Sequence, residues 1–290
     1  MRVVKAIDVG TREVFTLPRS STIMNALKAM LKRGFRRIPV ADAGTKRLEG
    51  IVSATDFINL FGGGEKFNFV SVKYSGNLAA AVNAEIEEIM ERNVVTVEAD
   101  ATLGDAVETM FEKGVGGCPI VDDEDRVVGI ITERDILRYL AKDRYYSEPV
   151  GKYATRKVVT IKPRDTIRDA MKIMIEKRLR RLPVIDDGLL VGMITVREIL
   201  RYFGSGEAFK MLVSGNIKDA IDVSVSAILS KPDLLYYKEV LAFPPDVSIS
   251  HVVRSMLEKG HGAALIVDGG KLEGIITERD LIKFMHELRS

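Results

Sequence analysis

The chain has 290 residues, 46% hydrophobic and 29% charged, a composition that can bury a sizeable core and excludes intrinsic disorder. Forty-three Lys and Arg nearly balance forty-one Asp and Glu, which argues against a general nucleic-acid or membrane-surface binder but leaves room for a local basic pocket. Cys118 is the one cysteine, and His251, His261 and His286 are the three histidines; an intrachain disulfide and a cysteine-based zinc site are excluded, and no metal centre is expected.

The first residues lack the apolar core and small-residue cleavage site of a signal peptide, and no run of roughly 18 apolar residues follows. A soluble cytoplasmic protein is the expectation. A strand is predicted over 14–17. Thr22 then precedes Ile23, Ala26, Leu27, Met30 and Leu31, whose spacing predicts one buried face of an amphipathic helix with a hydroxyl N-cap. An apolar strand over 38–42, a turn and a second strand over 48–52 containing Gly50 come next, and a short helix starts near Asp56. The unit reads strand, helix, strand, strand, helix.

A glycine-rich insertion, Phe61-Gly62-Gly63-Gly64-Glu65-Lys66-Phe67, leads to a second copy. Its strands are predicted at 94–97, 118–122 and 127–131, its helical face at Leu103, Ala106, Val107, Met110 and Phe111 behind Thr102, and its last helix near Asp135. A polar, aromatic linker covers 141–149. The third copy has strands at 158–161, 182–186 and 190–194, the face Ile167, Ala170, Met171, Met174 and Ile175 behind Thr166, and a last helix near Glu198. A second insertion runs Phe203-Gly204-Ser205-Gly206-Glu207-Ala208-Phe209. The fourth copy has strands at 240–243, 264–268 and 272–276, the face Ile249, Val252, Val253, Met256 and Leu257 behind Ser248, and a helix near Asp280. Phe61 and Phe203 lie 142 positions apart, as do Gly50 and Gly192, so a two-unit module has been duplicated. The units are placed at 1–61, 62–140 with the first insertion, 150–203, and 204–290 with the second. The fold class is α/β, an α+β repeat used four times and paired into two modules.

The periodic apolar residues are read as core, and function is sought in polar residues that recur. Each third strand ends in a hydroxyl followed three residues later by an acid: Ser53 and Asp56, Thr132 and Asp135, Thr195 and Glu198, Thr277 and Asp280. That spacing is a capping box. It is also compatible with an anion site at a helix N-terminus. An arginine precedes the acid in three units, Arg134, Arg197 and Arg279, and Thr55 stands there in the first. Arg36-Arg37 and Arg180-Arg181 start the middle strands of units one and three, where a phosphate partner is the functional reading. Units two and four have Gly116-Gly117 and Gly262-Ala263 there, which fits either a tight turn or a ligand's close approach. His261 is read as an exposed turn residue.

These Gly-x-x-Thr-x-x-Asp strand ends, with the Arg-Arg-Ile-Pro-Val and Arg-Arg-Leu-Pro-Val segments, resemble the CBS repeat, two of which form a Bateman module. Four repeats make the chain similar to the gamma subunit of AMP-activated protein kinase and its prokaryotic homologues. The resemblance implies a flattened disc with clefts for AMP, ADP or ATP. It implies that Asp56, Asp135 and Asp280 bond the ribose hydroxyls, with Ser53, Thr55, Thr132, Thr195 and Thr277 lining the clefts. Arg36, Arg37, Arg134, Arg180, Arg181, Arg197 and Arg279 would meet phosphates, and adenine would rest near 14–17 and its equivalents. Glu198 departs from the pattern, which puts the third cleft in doubt, and Leu265 replaces the middle-strand proline of the other units. The implied role is energy-sensing regulation of a protein partner, kinase-like or otherwise, with self-association of discs also open. S-adenosylmethionine or RNA binding and a structural scaffold with vestigial sites are the alternatives. No nucleophile-and-base pair, Walker loop or metal cluster marks an enzyme.

Overall fold

The computed structural model describes residues 3–288 except 144, 205–207, 209, 212–213, 215–216 and 236–238. Part of the second glycine-rich insertion and one linker residue therefore lie outside the described residues. The helices that carry the repeated apolar registers are Ile23–Arg33, Leu103–Glu112, Ile167–Glu176 and Ile249–Glu258. Thr22, Thr102, Thr166 and Ser248 cap them, each side chain accepting the backbone N–H three residues on. The first four positions of each apolar register are buried. The fifth is not: Leu31, Ile175 and Leu257 are half-buried, and Phe111 is exposed and stacks on His286 at 4.3 Å. That position sits in the last helical turn.

Each repeat carries an antiparallel hairpin: Arg37–Ala41 with Leu48–Ser53, Gly117–Val121 with Val127–Thr132, Arg181–Asp186 with Leu189–Thr195, and Ala263–Asp268 with Lys271–Thr277. The register sets Arg37 opposite Ser53, Gly117 opposite Thr132, Arg181 opposite Thr195 and Ala263 opposite Thr277. The start of each middle strand therefore meets the hydroxyl end of the next. The expected leading strands are shorter than the sequence suggested. Val97–Glu98 and Ala242–Phe243 run parallel to the middle strand, and Leu17 and Ile161 form single parallel bridges. In repeats one, three and four the residues before that pairing, Val14 and Phe15, Val158 and Val159, and Val240, line cavities instead of a sheet neighbour. The last helices, Ala54–Phe61, Glu133–Asp143, Val196–Phe203 and Glu278–Glu287, begin two residues before the conserved-spacing acid, which becomes the third helical residue.

The repeats close on one another in two ways. Within each module, backbone crosses from one repeat to the other: Thr11 pairs with Ile130, Ile51 with Glu91, and Thr155 with Ile275. A glycine permits the crossing, since a Cβ on Gly129 would stand 2.5 Å from Ile7. Between modules, helices pack first repeat on third and second on fourth. One apolar core runs through repeats one and three and another through repeats two and four. Phe61 and Phe203, both fully buried, meet across the first seam with centroids 4.9 Å apart. Phe203→Ala removes a ring from a seam with no room to collapse and should cost about 3–5 kcal/mol of unfolding free energy in urea; a loss below about 1 kcal/mol would show that the modules do not share that core.

Candidate functional site

The first residue of the last helix in repeats two and four explains the centre of the molecule. Glu133 and Glu278 are each 1% exposed. Isolated, a buried carboxylate costs several kcal/mol. Here each is met by arginines from the opposite module. Glu278 accepts from Arg36 at 2.5 Å and lies 3.0 Å from Arg134 Nε. Glu133 accepts two bonds from Arg180, at 2.8 and 3.2 Å, with Arg279 4.0 Å away. Burial alone would raise both carboxyl pKa values, but the charge and hydrogen bonds of Arg180 on Glu133, and of Arg36 on Glu278, overcome it and hold both well below the usual range. Arg37 donates to the Gly116 carbonyl, and burial together with Arg180 lowers its pKa to about 10.

The space beside Gly116, Gly117 and Gly262 is therefore filled by protein. A Cβ on Gly117 would stand 2.5 Å from Arg37 Nη1, and one on Gly262 3.1 Å from Arg181 Nη2. The sequence reading of that space as an approach for a ligand is corrected: guanidinium groups of repeats one and three occupy it. Neither Glu133 nor Glu278 was singled out from sequence. The signal was present, since Glu follows the hydroxyl only in the two repeats that lack Arg-Arg, where the others have Ala54 and Val196.

The strand ends at Ser53, Thr195 and Thr277 form capping boxes, and Thr132 makes the acid half of the same arrangement. One carboxylate oxygen of Asp56, Asp135, Glu198 and Asp280 accepts from the backbone N–H and hydroxyl of Ser53, Thr132, Thr195 and Thr277. The second oxygen distinguishes the repeats. In Asp135 it pairs with Arg138 at 2.9 Å and in Asp280 it accepts from Thr155 at 3.2 Å. In Asp56 it pairs with Lys66 at 3.2 Å, whose ammonium also donates to the Ile89 carbonyl. A lysine from the first insertion thus covers that acid, and the matching residue of the second insertion is the buried Ala208.

Three cavities accompany the other acids. The largest, about 470 Å³, has Asp135, Thr132 and Arg134 on one wall, Val14 and Phe15 of the first repeat on another, and Arg36, Arg37 and Arg197 around it. Arg197 belongs to the third repeat yet donates to the Gly34 carbonyl at the rim of this cavity. A second, about 190 Å³, joins Asp280, Thr277 and Arg279 to Val158, Val159, Arg180 and Arg181. A third, about 260 Å³, places Glu198 near Gly192, Met193, Val240, Glu239 and His261, with no arginine among the described residues that line it. Ser53, Thr55 and Thr195 line a central void of about 50 Å³ among Arg36, Arg37, Arg180, Arg181 and Arg197. His261 is buried rather than exposed, because it lies where this void meets the third cavity. Burial lowers its pKa, which favours the neutral imidazole.

The sequence matches the CBS domain over residues 4–63, 86–142, 150–205 and 233–287. The chain belongs to the CBS domain family. It is 34% identical over 285 residues to the MJ1225 protein of Methanocaldococcus jannaschii, covering 98% of this chain and 99% of that one. The MJ1225 crystal structure, proposed as an archaeal homologue of the gamma subunit of AMPK, superposes with a TM-score of 0.90 at 33% identity and covers 97% of this chain and 100% of that one. A 33.4 kDa protein from the ribosomal RNA operon of Thermofilum pendens is 31% identical over 266 residues, 92% of this chain and 86% of its own. A Pyrococcus horikoshii protein at 21% identity shares the fold, with a TM-score of 0.61 over 96% of this chain and 97% of its own. Among the described residues no helix is long and apolar enough to cross a membrane.

The lowered carboxyl values predict an acid dependence with a defined sign. A depressed folded pKa stabilises the fold fully above the unfolded value, about 4.3 for Glu, and the contribution is lost as pH falls through the folded value. Urea denaturation at about pH 6, 4 and 3 should show wild type losing more stability on acidification than Glu133→Gln; equal losses would mean Glu133 is not held ionised.

Proposed function

We propose that this protein is a non-catalytic regulatory module that binds AMP, ADP or ATP in the Asp135 and Asp280 clefts. The observation that carries the reading is the Asp135 cavity. It sets a carboxylate, an apolar wall at Val14 and Phe15, and several guanidinium groups around one space large enough for a nucleotide. A ribose offers two hydroxyls to a carboxylate. Arginines fit the oxygens of a phosphate and carry the opposite charge. Adenine needs a largely apolar slot. The three requirements occur together on two repeats of one module, and again, in a smaller space, around Asp280.

The other two acids are assigned differently. Lys66 supplies the positive charge at Asp56, so the first cleft is proposed to stay closed to nucleotides. Among the described residues the third cleft has Glu198, Glu239 and His261 but no arginine, which suits a polyanion less well. The arginine-lined walls favour nucleotides over S-adenosylmethionine, whose sulfonium would meet like charge. A cytoplasmic setting and a protein partner that responds to occupancy belong to the same proposal. Regulation then requires that the partner have different affinities for the filled and empty forms.

Two measurements test this. A nucleotide at about 100 times its dissociation constant stabilises a fold by roughly 2.7 kcal/mol, a rise of about 5–10 °C for a protein of this size. AMP, ADP and ATP should produce it, and S-adenosylmethionine and GMP should not; no shift with any adenine nucleotide would end the proposal. In calorimetric titration, Asp135→Ala should weaken AMP binding at its own cleft by about 10- to 150-fold, the value of one hydrogen bond to a charged group. An unchanged profile would remove Asp135 from the site.

A further inference from the structure

We infer that Glu278 couples the two arginine-lined clefts, so that an anionic tail entering the Asp135 cleft weakens anion binding in the Asp280 cleft, and the reverse. The inference rests on the nucleotide reading above. Glu278 faces two ways. Its carboxylate neutralises Arg36 and Arg134, both of which line the Asp135 cavity. The same residue lines the Asp280 cavity. Its Oε1 is buried and makes no hydrogen bond, although Arg134 Nε lies 3.0 Å away. The pairing to Arg134 is thus an ion pair without hydrogen-bond geometry, and it is the weaker of the two holds on this carboxylate.

Arg36 and Arg134, the cations that now neutralise Glu278, are among the arginines that line the Asp135 cleft and can turn to a phosphate there. Each guanidinium drawn toward the phosphate leaves part of the Glu278 charge uncovered. That charge is buried, so water screens it poorly, and it stands in the wall of the second cavity. A second phosphate there meets repulsion that the empty protein does not present. Linkage makes the effect reciprocal whichever cleft fills first. Glu133 is placed differently. Its hydrogen bonds and ion pair are to Arg180 and Arg279, which line the Asp280 cavity with it, and Arg37 and Arg36 act on it through charge alone, so its main competition with a phosphate is inside one cleft.

Calorimetric titration of the full chain with AMP, and with adenosine as the uncharged probe, tests the coupling. Asp135→Ala and Asp280→Ala each leave one cleft intact and give its dissociation constant alone. The product of the two wild-type dissociation constants for AMP should exceed the product of the two single-cleft values by about tenfold, within the usual range for coupled sites. For adenosine the two products should agree. In Glu278→Gln the AMP excess should fall to within about twofold, and AMP should bind the Asp135 cleft more tightly, since a neutral amide competes poorly for guanidinium groups. Equal products for AMP in wild type, which needs no variant at Glu278, would overturn the coupling. So would an excess that persists in Glu278→Gln, or one that adenosine shows as strongly as AMP. Failure of wild type to bind AMP at all is a different result, and it would overturn the nucleotide reading together with the coupling.

Discussion

Two carboxylates are buried where the four repeats meet, and they are stable there only because arginines from the opposite module reach them. Removing one partner from such a pair leaves an uncompensated charge in a poorly screened interior, at a cost of about 3–5 kcal/mol. The rest of the centre follows from that constraint. Repeats that contribute Glu133 or Glu278 have glycine at the start of the middle strand, which gives the guanidinium groups room. Repeats that contribute the arginines have Ala54 or Val196 in the place of the glutamate, so like charges do not crowd one point. A duplication of a two-repeat module delivers this complementarity automatically, since the basic repeat of one half meets the acidic repeat of the other.

The clefts inherit their character from the same pairs. Arg36 and Arg134 are turned toward the Asp135 cavity while Glu278 holds them, and Arg180 and Arg279 face the Asp280 cavity while held by Glu133. Preorganised guanidinium groups lose less freedom on meeting a phosphate than free surface arginines would. The remaining two acids show how the same fold yields different sites. A lysine from an insertion covers Asp56, and a longer acid beside a buried histidine marks the third cavity.

Much of the local structure was legible in the sequence because it depends on neighbours in the chain. The helical faces, their hydroxyl caps, the hairpins and the capping boxes follow from spacing alone. The repeat resemblance then supplied the pairing of the modules. What escaped depends on residues distant in sequence. Glu133 reads as a surface helix residue until Arg180 is placed against it. Lys66 is an ordinary charge in a glycine-rich insertion until Asp56 appears 3.2 Å away. His261 looked exposed because the turn before it suggests solvent, yet the third repeat packs over it. Arg197 was expected at its own acid but crosses to the neighbouring module's cavity. The leading strands were overestimated because apolar residues that face a cleft have the same pattern as those in a sheet.

The central claim is that the arginines held by buried glutamates turn to a phosphate while Asp135 holds the sugar. A crystal structure of the full chain with AMP bound examines it most directly. The expected result is AMP in the large cavity, its ribose hydroxyls about 2.6–3.2 Å from the Asp135 carboxylate and its phosphate on Arg36 or Arg134. AMP bound away from that carboxylate, or with its phosphate in solvent and both arginines still on Glu278, would contradict it.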